Sequence, residues 1–225
     1  DFILKAKHAF TNYENLDLFF GDRLFFDAKC PSLGRGLSKG RFGDVATQMT
    51  TDSIGLVESG LFDALAWGNF ISPSGAVCRK SAAYKAGLFN PHLSSGADRD
   101  FFCRLSARSL VAFTLEIVVH YRVHDSSMSS TTPAVKLAKN RVKCIIELIL
   151  DAEPLRLSSE NLRTLQQVLM DLKTQVLYHS TDGGVTRFWE EKRWLQAHNV
   201  SPGWNLPNFI RATRTSVLRR FYRNY

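Results

Sequence analysis

Two aspartates two residues apart, Asp98 and Asp100, stand in the stretch richest in side chains able to do chemistry, Arg79 to Ser129. A carboxylate there can take the proton from a hydroxyl as its oxygen attacks an electrophile, a role that contributes roughly 10²–10⁴-fold to a rate. An aspartate at the start of a helix is also a common N-cap with no chemistry to perform. Asp100 is the second candidate for the same base. Arg104, four residues further on, pairs with Asp100 across one helical turn in the simplest reading. Arg122 and His124 share one strand face, where guanidinium and imidazole could both meet phosphate charge. The plainer alternative is a solvated strand face. His120 and His124 have the spacing of a metal pair only on a helix, and the run Ile117-Val118-Val119 argues for a strand.

Those side chains need a frame. Asp98–Ala107 reads as a helix with Phe101, Phe102 and Leu105 on its apolar face. Leu115–His124 reads as a strand, with Ile117, Val119, Tyr121 and Val123 to one side. Ser81–Ala86 is a short helix ended by Gly87, preceded by a strand over Asn69–Cys78 with a Pro-Ser-Gly irregularity. A helix is expected near Thr51–Trp67, and the glycine-rich residues 31–44 form a loop. At the start, Ile3–Asn12 is helical, and Leu18-Phe19-Phe20 and Leu24-Phe25-Phe26 are strand segments flanking a Gly21-Asp22 turn.

From about residue 134 the texture becomes helical throughout. Leu137/Ala138, Val142, Ile145/Ile146 and Ile149 recur at helical spacing. Ser158 is a good N-cap for a second helix carrying Leu162, Leu165, Leu169, Leu172 and Val176. Gly183-Gly184 precedes a third helix, Val185–Ala197. A last one, Asn208–Tyr222, holds Arg211, Arg214, Arg219 and Arg220, with Arg223 just beyond. Ile210, Val217, Leu218 and Phe221 can share the face opposite those arginines, a pattern that suits an anionic membrane surface. The expected architecture is α/β: a mixed sheet within residues 1–130, then an α-helical subdomain over residues 131–225.

The chain has 225 residues and a formal net charge of +8. That balance suits nucleic acid, an anionic membrane or a phosphate-bearing substrate without choosing among them. Four cysteines far apart in sequence, Cys30, Cys78, Cys103 and Cys144, favour reduced cytosolic thiols over a disulfide framework or a zinc knuckle. No apolar run reaches the length of a membrane span. No nucleic-acid motif is present, and nucleic acid is not an expected partner.

Taken in order, Arg79, Gly87-x-Phe89, Leu93, Asp98-x-Asp100, Arg104-Leu105, Tyr121-Arg122-x-His124 and Met128-Ser129 resemble the C-terminal half of the catalytic domain of family 2 glycosyltransferases. The likeness covers about residues 1–130; beyond them it is only that of a generic helical extension. It implies a GT-A (nucleotide-diphospho-sugar transferase) fold, here partial. The implied activity is inverting transfer of a sugar from a nucleotide-sugar donor to a glycan or lipid-linked acceptor, in polysaccharide or cell-envelope synthesis. Asp98 becomes the general base, with Ala97 where family members often carry Glu. Asp100, Arg104, Trp67 and Asn69 become substrate-binding, the tryptophan ring serving as a platform for a sugar face. His124 and Arg122 fall near the diphosphate or its metal, Mn²⁺ or Mg²⁺. Asp1 matches the last acid of the metal-binding motif, which places the nucleotide-binding strands upstream. The implied location is cytoplasmic, with peripheral membrane contact through the basic last helix. Two rivals stand beside this reading: a basic helical binding module, and a glycosyltransferase-like domain without activity.

Overall fold

In the computed structural model, residues 2–51, 53–201, 203 and 206–222 are described. The chain begins with helix α1 (Phe2–Asn12). Its Ala6 and Ala9 are buried against the sheet and Phe2 stacks on Phe19 at 5.6 Å. Strand β1 (Leu16–Phe26) follows without a break. Here the expected Gly21-Asp22 turn is corrected: the two residues lie inside the strand, where its register against a neighbour slips. An acid can sit there because every demand of its carboxylate is met. Asp22 is 2% exposed. It accepts Arg35 Nε at 2.7 Å, the backbone N–H of Arg23 at 2.7 Å and that of Leu37 at 2.9 Å. A buried carboxylate so satisfied is tolerated, whereas an unpaired one is not.

The same bonds pin the glycine-rich loop to β1. Within that loop lie a short helix, α2 (Gly36–Lys39), and a 3₁₀ turn over Arg41–Asp44. Strands β2 (Ala46–Met49) and β3 (Gly55–Ser59) and helix α3 (Leu61–Trp67) come next. The helix expected near Thr51–Trp67 is thus half strand. Gly60, at φ 82°, breaks the segment, and Leu56 pairs with β-structure on both sides. The strand expected over Asn69–Cys78 shrinks to β4 (Ala76–Cys78) behind a 3₁₀ turn at Pro73–Gly75. Helices α4 (Lys80–Lys85) and α5 (Ala97–Ser106) and strand β5 (Leu110–Arg122) agree with expectation, β5 starting earlier.

The sheet is mixed and ordered β2-β3-β5-β1-β4. β1 and β5 run parallel; the other neighbours are antiparallel. The alternation expected along Leu115–His124 does not translate into a buried and an open face. Leu115, Ile117 and Tyr121 are all exposed. The reason lies in the ladder. β3 meets β5 only at Ala112 and Phe113, and β4 meets β1 only at Leu18–Phe20, so beyond Gly21 and Thr114 the named strands of the sheet narrow to β1 and β5.

The helical part comprises α6 (Met128–Thr131), α7 (Ala134–Leu150), α8 (Ala152–Leu155), α9 (Ser159–Ser180), α10 (Gly184–Ala197) and α11 (Leu206–Tyr222). It shares one apolar core with the sheet: Phe113, Leu65 and Phe102 belong to the same cluster as Ile145, Leu165 and Leu195. Polar ties cross the same junction. Asn161 Nδ2 donates to both oxygens of Asp63 at 3.1 and 3.2 Å, and Asn140 Nδ2 to Ser95 Oγ at 2.7 Å. The change of texture near residue 130 therefore marks no boundary between separate cores.

Ser158 caps α9 as its sequence implies. Its Oγ accepts the Asn161 N–H at 3.1 Å, and Asn161 Oδ1 accepts the Ser158 N–H at 3.1 Å. Ser158→Ala should therefore cost about 1 kcal/mol of unfolding free energy. Urea denaturation checks this, and an unchanged midpoint at unchanged slope would rule the cap out.

All four thiols are free. Burial pushes Cys144 up to about 12 and Cys103 well above its ordinary value, leaving both as inert apolar groups in the core.

On α11, Asn208 and Ala212 face inward and Ile210 is 58% exposed. Ile210 therefore departs from the face expected opposite the arginines: it lies one turn from exposed Arg214, on the same side. Arg211 lies over the Tyr178 ring at 4.1 Å and pairs with Asp182 at 3.4 Å. The side chains of Val217, Leu218, Arg219, Arg220 and Phe221, and Arg223 altogether, lie outside the described residues. Among the described residues no helix is long and apolar enough to cross a membrane.

Candidate active site

Asp98 sits in the first turn of α5, which starts from Gly96 at φ 83°. That left-handed backbone favours glycine and turns the chain from the 87–96 loop into the helix. Asp98 is half-buried and receives the Asn69 side-chain amide on Oδ2 at 2.8 Å. The amide is oriented from the other side, because Asn69 Oδ1 accepts the Ile71 N–H at 2.9 Å. That bond leaves the NH₂ group facing the carboxylate. Among the described residues Asn69 is the one hydrogen-bond donor to the Asp98 carboxylate, so Oδ1 is left for a further donor.

Arg99, next in sequence, holds the frame. It is 5% exposed. Its Nε donates to the Leu65 carbonyl at 3.2 Å and its guanidinium also binds the Ala66 carbonyl. A cation on the last carbonyls of α3 satisfies groups that a helix end leaves open. It fixes α3 to α5 and so fixes Trp67 and Asn69 relative to Asp98. The sequence reading missed Arg99; an arginine flanked by two acids looks like a solvated charge until its neighbours Phe101 and Phe102 are seen to be core.

Trp67, Gly68, Asn69 and Phe70 line a cleft of about 350 Å³ with Arg23, Phe25, Gly36, Lys39, Gly40 and Arg41. The volume is at the lower end of the roughly 300–1,000 Å³ usual for small-molecule sites. The Arg41 guanidinium lies 5.0 Å from the Trp67 ring centre. Arg23 reaches in from β1, 4.9 Å from the Phe25 ring, and one of its terminal nitrogens is 3.3 Å from the Asn69 carbonyl. Burial draws its pKa down, opposed by the charges of Asp98, Tyr121 and Asp22. Three residues singled out from sequence, Trp67, Asn69 and Asp98, thus come together. Three cations that the sequence did not single out, Arg23, Lys39 and Arg41, join them.

The other candidates fall elsewhere. Asp100 is 1% exposed and forms an ion pair with Arg104 at 2.5 Å. Arg104 also donates to the Leu88 carbonyl at 2.6 Å and to that of Ala86. The pair is buried and latches α5 to the turn after α4, away from the cleft that Trp67 and Asn69 line. Burial pushes the Asp100 carboxyl above its ordinary value, against the pull of Arg104. A larger hollow of about 770 Å³ touches Arg104, but it lies at the opposite end of β1, beside Asp17, Lys85 and Asp151. It contains none of Asp98, Asn69 and Trp67. Arg122 and His124 are exposed at the far end of β5, and His124 Nδ1 is 2.9 Å from Ser126 Oγ. No described contact joins either of them to Asp98.

Asp1 lies outside the described residues. Among the described residues no group of three or more His, Cys, Asp and Glu side chains converges as a metal site.

No protein-family model, curated protein or solved structure matches the chain.

Proposed function

We propose that the protein is a glycosyltransferase that moves a sugar from a nucleotide-sugar to an acceptor hydroxyl with inversion, Asp98 acting as general base. The observation that carries this reading is the half-buried Asp98 carboxylate, held through Oδ2 by Asn69, which itself lines a cleft with Trp67. A base must lie within hydrogen-bond reach of the proton it removes. An acceptor bound in the cleft beside Asn69 would bring a hydroxyl to the carboxylate that Asn69 holds. The carboxylate takes the proton as the hydroxyl attacks the anomeric carbon, and the nucleoside diphosphate leaves from the opposite side. Asn69 holds the carboxylate plane through the reaction. The ordered motifs from Arg79 to Ser129 and the α/β architecture support the same reading, and a GT-A arrangement belongs to it.

The functional test is transfer by the protein, measured with a panel of nucleotide-sugars and with Mn²⁺ or Mg²⁺. Excess chelator should abolish turnover and either ion should restore it. Turnover unchanged in chelator would remove the metal from the proposal. No turnover with any donor would favour an inactive domain of the same fold. A cytoplasmic setting belongs to the same proposal.

A further inference from the structure

Of the three cations that line the cleft, Arg23 is half-buried and Lys39 and Arg41 are exposed. Arg23 and Lys39 form no ion pair among the described residues. Arg23 Nε is buried and has no hydrogen-bond partner. Lys39 rests its ammonium 4.9 Å from the Phe25 ring, a weak partner for a full charge. Arg41 pairs with Asp44 at 2.6 Å, but that pair is half-exposed and cheaply exchanged. The nearest buried acid, Asp22, is already bound by Arg35 and two backbone N–H groups. The position of the cations is built into the fold. A Cβ on Gly36 would come within 2.5 Å of Arg23 Cγ, so only glycine lets that side chain lie along the cleft.

Three cations lining one small cleft, one of them half-buried with its Nε unpartnered, offer a place to an anion with several oxygens. Two guanidinium forks and an ammonium suit a phosphate better than a neutral sugar. We propose that Arg23, Lys39 and Arg41 bind a phosphate carried by the acceptor, so that the acceptor is a phosphorylated saccharide or an alditol phosphate. This rests on the reading of Asp98 as the base. In an inverting displacement the attacking hydroxyl and the leaving diphosphate lie on opposite faces of the anomeric carbon. Arg23 bonds the backbone of Asn69, whose side chain holds Asp98, so the cations stand on the side of the attacking hydroxyl. Arg23 also lies between two negative charges, the bound phosphate and Asp98, and screens one from the other.

The test measures binding to the 225-residue chain by calorimetry, with glycerol 1-phosphate, glycerol and inorganic diphosphate as probes. Glycerol 1-phosphate should bind and glycerol should not. Lys39→Gln and Arg23→Ala should each weaken the phosphate by about tenfold or more. Lys39, on the surface of the short α2, serves as the variant that leaves folding intact should Arg23→Ala disturb β1. Asp98→Asn should leave this binding unchanged or tighter, because it removes a like charge. Binding of glycerol 1-phosphate that is absent at about 10 mM, or indifferent to Lys39→Gln, overturns the proposal. Diphosphate that binds more tightly than glycerol 1-phosphate and loses that advantage in Lys39→Gln also overturns it, by assigning the cations to the donor. The base reading fails on a separate measurement, undiminished transfer by Asp98→Asn, so the two failures are told apart.

Discussion

Asp98→Asn should lower the rate of transfer by the protein about 10²–10⁴-fold, or about 3–5 kcal/mol of barrier. The substitution keeps the side chain's size and its contact with Asn69, and removes the proton acceptor. The fall should appear in kcat at saturating substrates, since the missing interaction forms only as the hydroxyl gives up its proton. Donor affinity should barely move, because the base faces the acceptor. Folding should be little affected, as Asp98 is half-buried and bonded to one side chain. A companion variant, Asn69→Ala, should lower the same rate less. It frees the carboxylate to rotate without removing it. Asp98→Asn retaining more than about a tenth of the wild-type kcat would make Asp98 a residue of the helix start and nothing more.

How far the sequence reaches can be read from particular residues. Helices with long apolar periodicity were legible: Val142, Ile145, Leu165 and Leu172 are buried where their spacing places them. Ser158 was legible because capping is local. The pairing of Asp100 with Arg104 was legible for the same reason, at one turn's distance. Asp22 was not. Gly-Asp between two apolar runs is the ordinary sign of a turn, and only the arrival of Arg35 and the Leu37 N–H from another segment lets the strand run through. β3 was taken for helix because five residues with two apolar side chains carry no period of their own. In the site, Trp67, Asn69 and Asp98 were each named from order along the chain. Their assembly depends on Arg99, which binds carbonyls more than thirty residues away in sequence. The cations are the plainest omission. Arg23, Lys39 and Arg41 are spread over a strand and a loop, and nothing in their spacing says that they line one cleft or that Gly36 makes room for Arg23.

Removing the Asp100 carboxylate should unfold rather than inactivate. In Asp100→Leu the Arg104 guanidinium stays buried with two carbonyls and no counter-charge, and the expected cost is about 3–5 kcal/mol. That is a large share of the roughly 5–15 kcal/mol that holds a typical domain together. The intact pair need not be strongly stabilising for this to hold. Burial raises the Asp100 pKa from its ordinary 3.8 in spite of Arg104. The folded state therefore holds that proton more tightly than the unfolded chain, and this group's contribution to stability falls as pH rises through the window above 3.8. Ionisation inside the protein is thus a net cost that the partner only reduces, and losing the partner's charge alone is worse still. The double variant Asp100→Leu/Arg104→Met should recover much of the loss, because no buried charge remains. It leaves the Ala86 and Leu88 carbonyls without their donor, so recovery should be incomplete. Urea denaturation of the three variants at pH 7 reads the cycle directly. A loss below about 1 kcal/mol in Asp100→Leu would mean that water or another group reaches Arg104, and the latch between α5 and the turn after α4 would have to be abandoned. If instead Asp100→Leu keeps its stability and loses transfer, the acid two residues after Asp98 is the one that meets substrate, and the base belongs there.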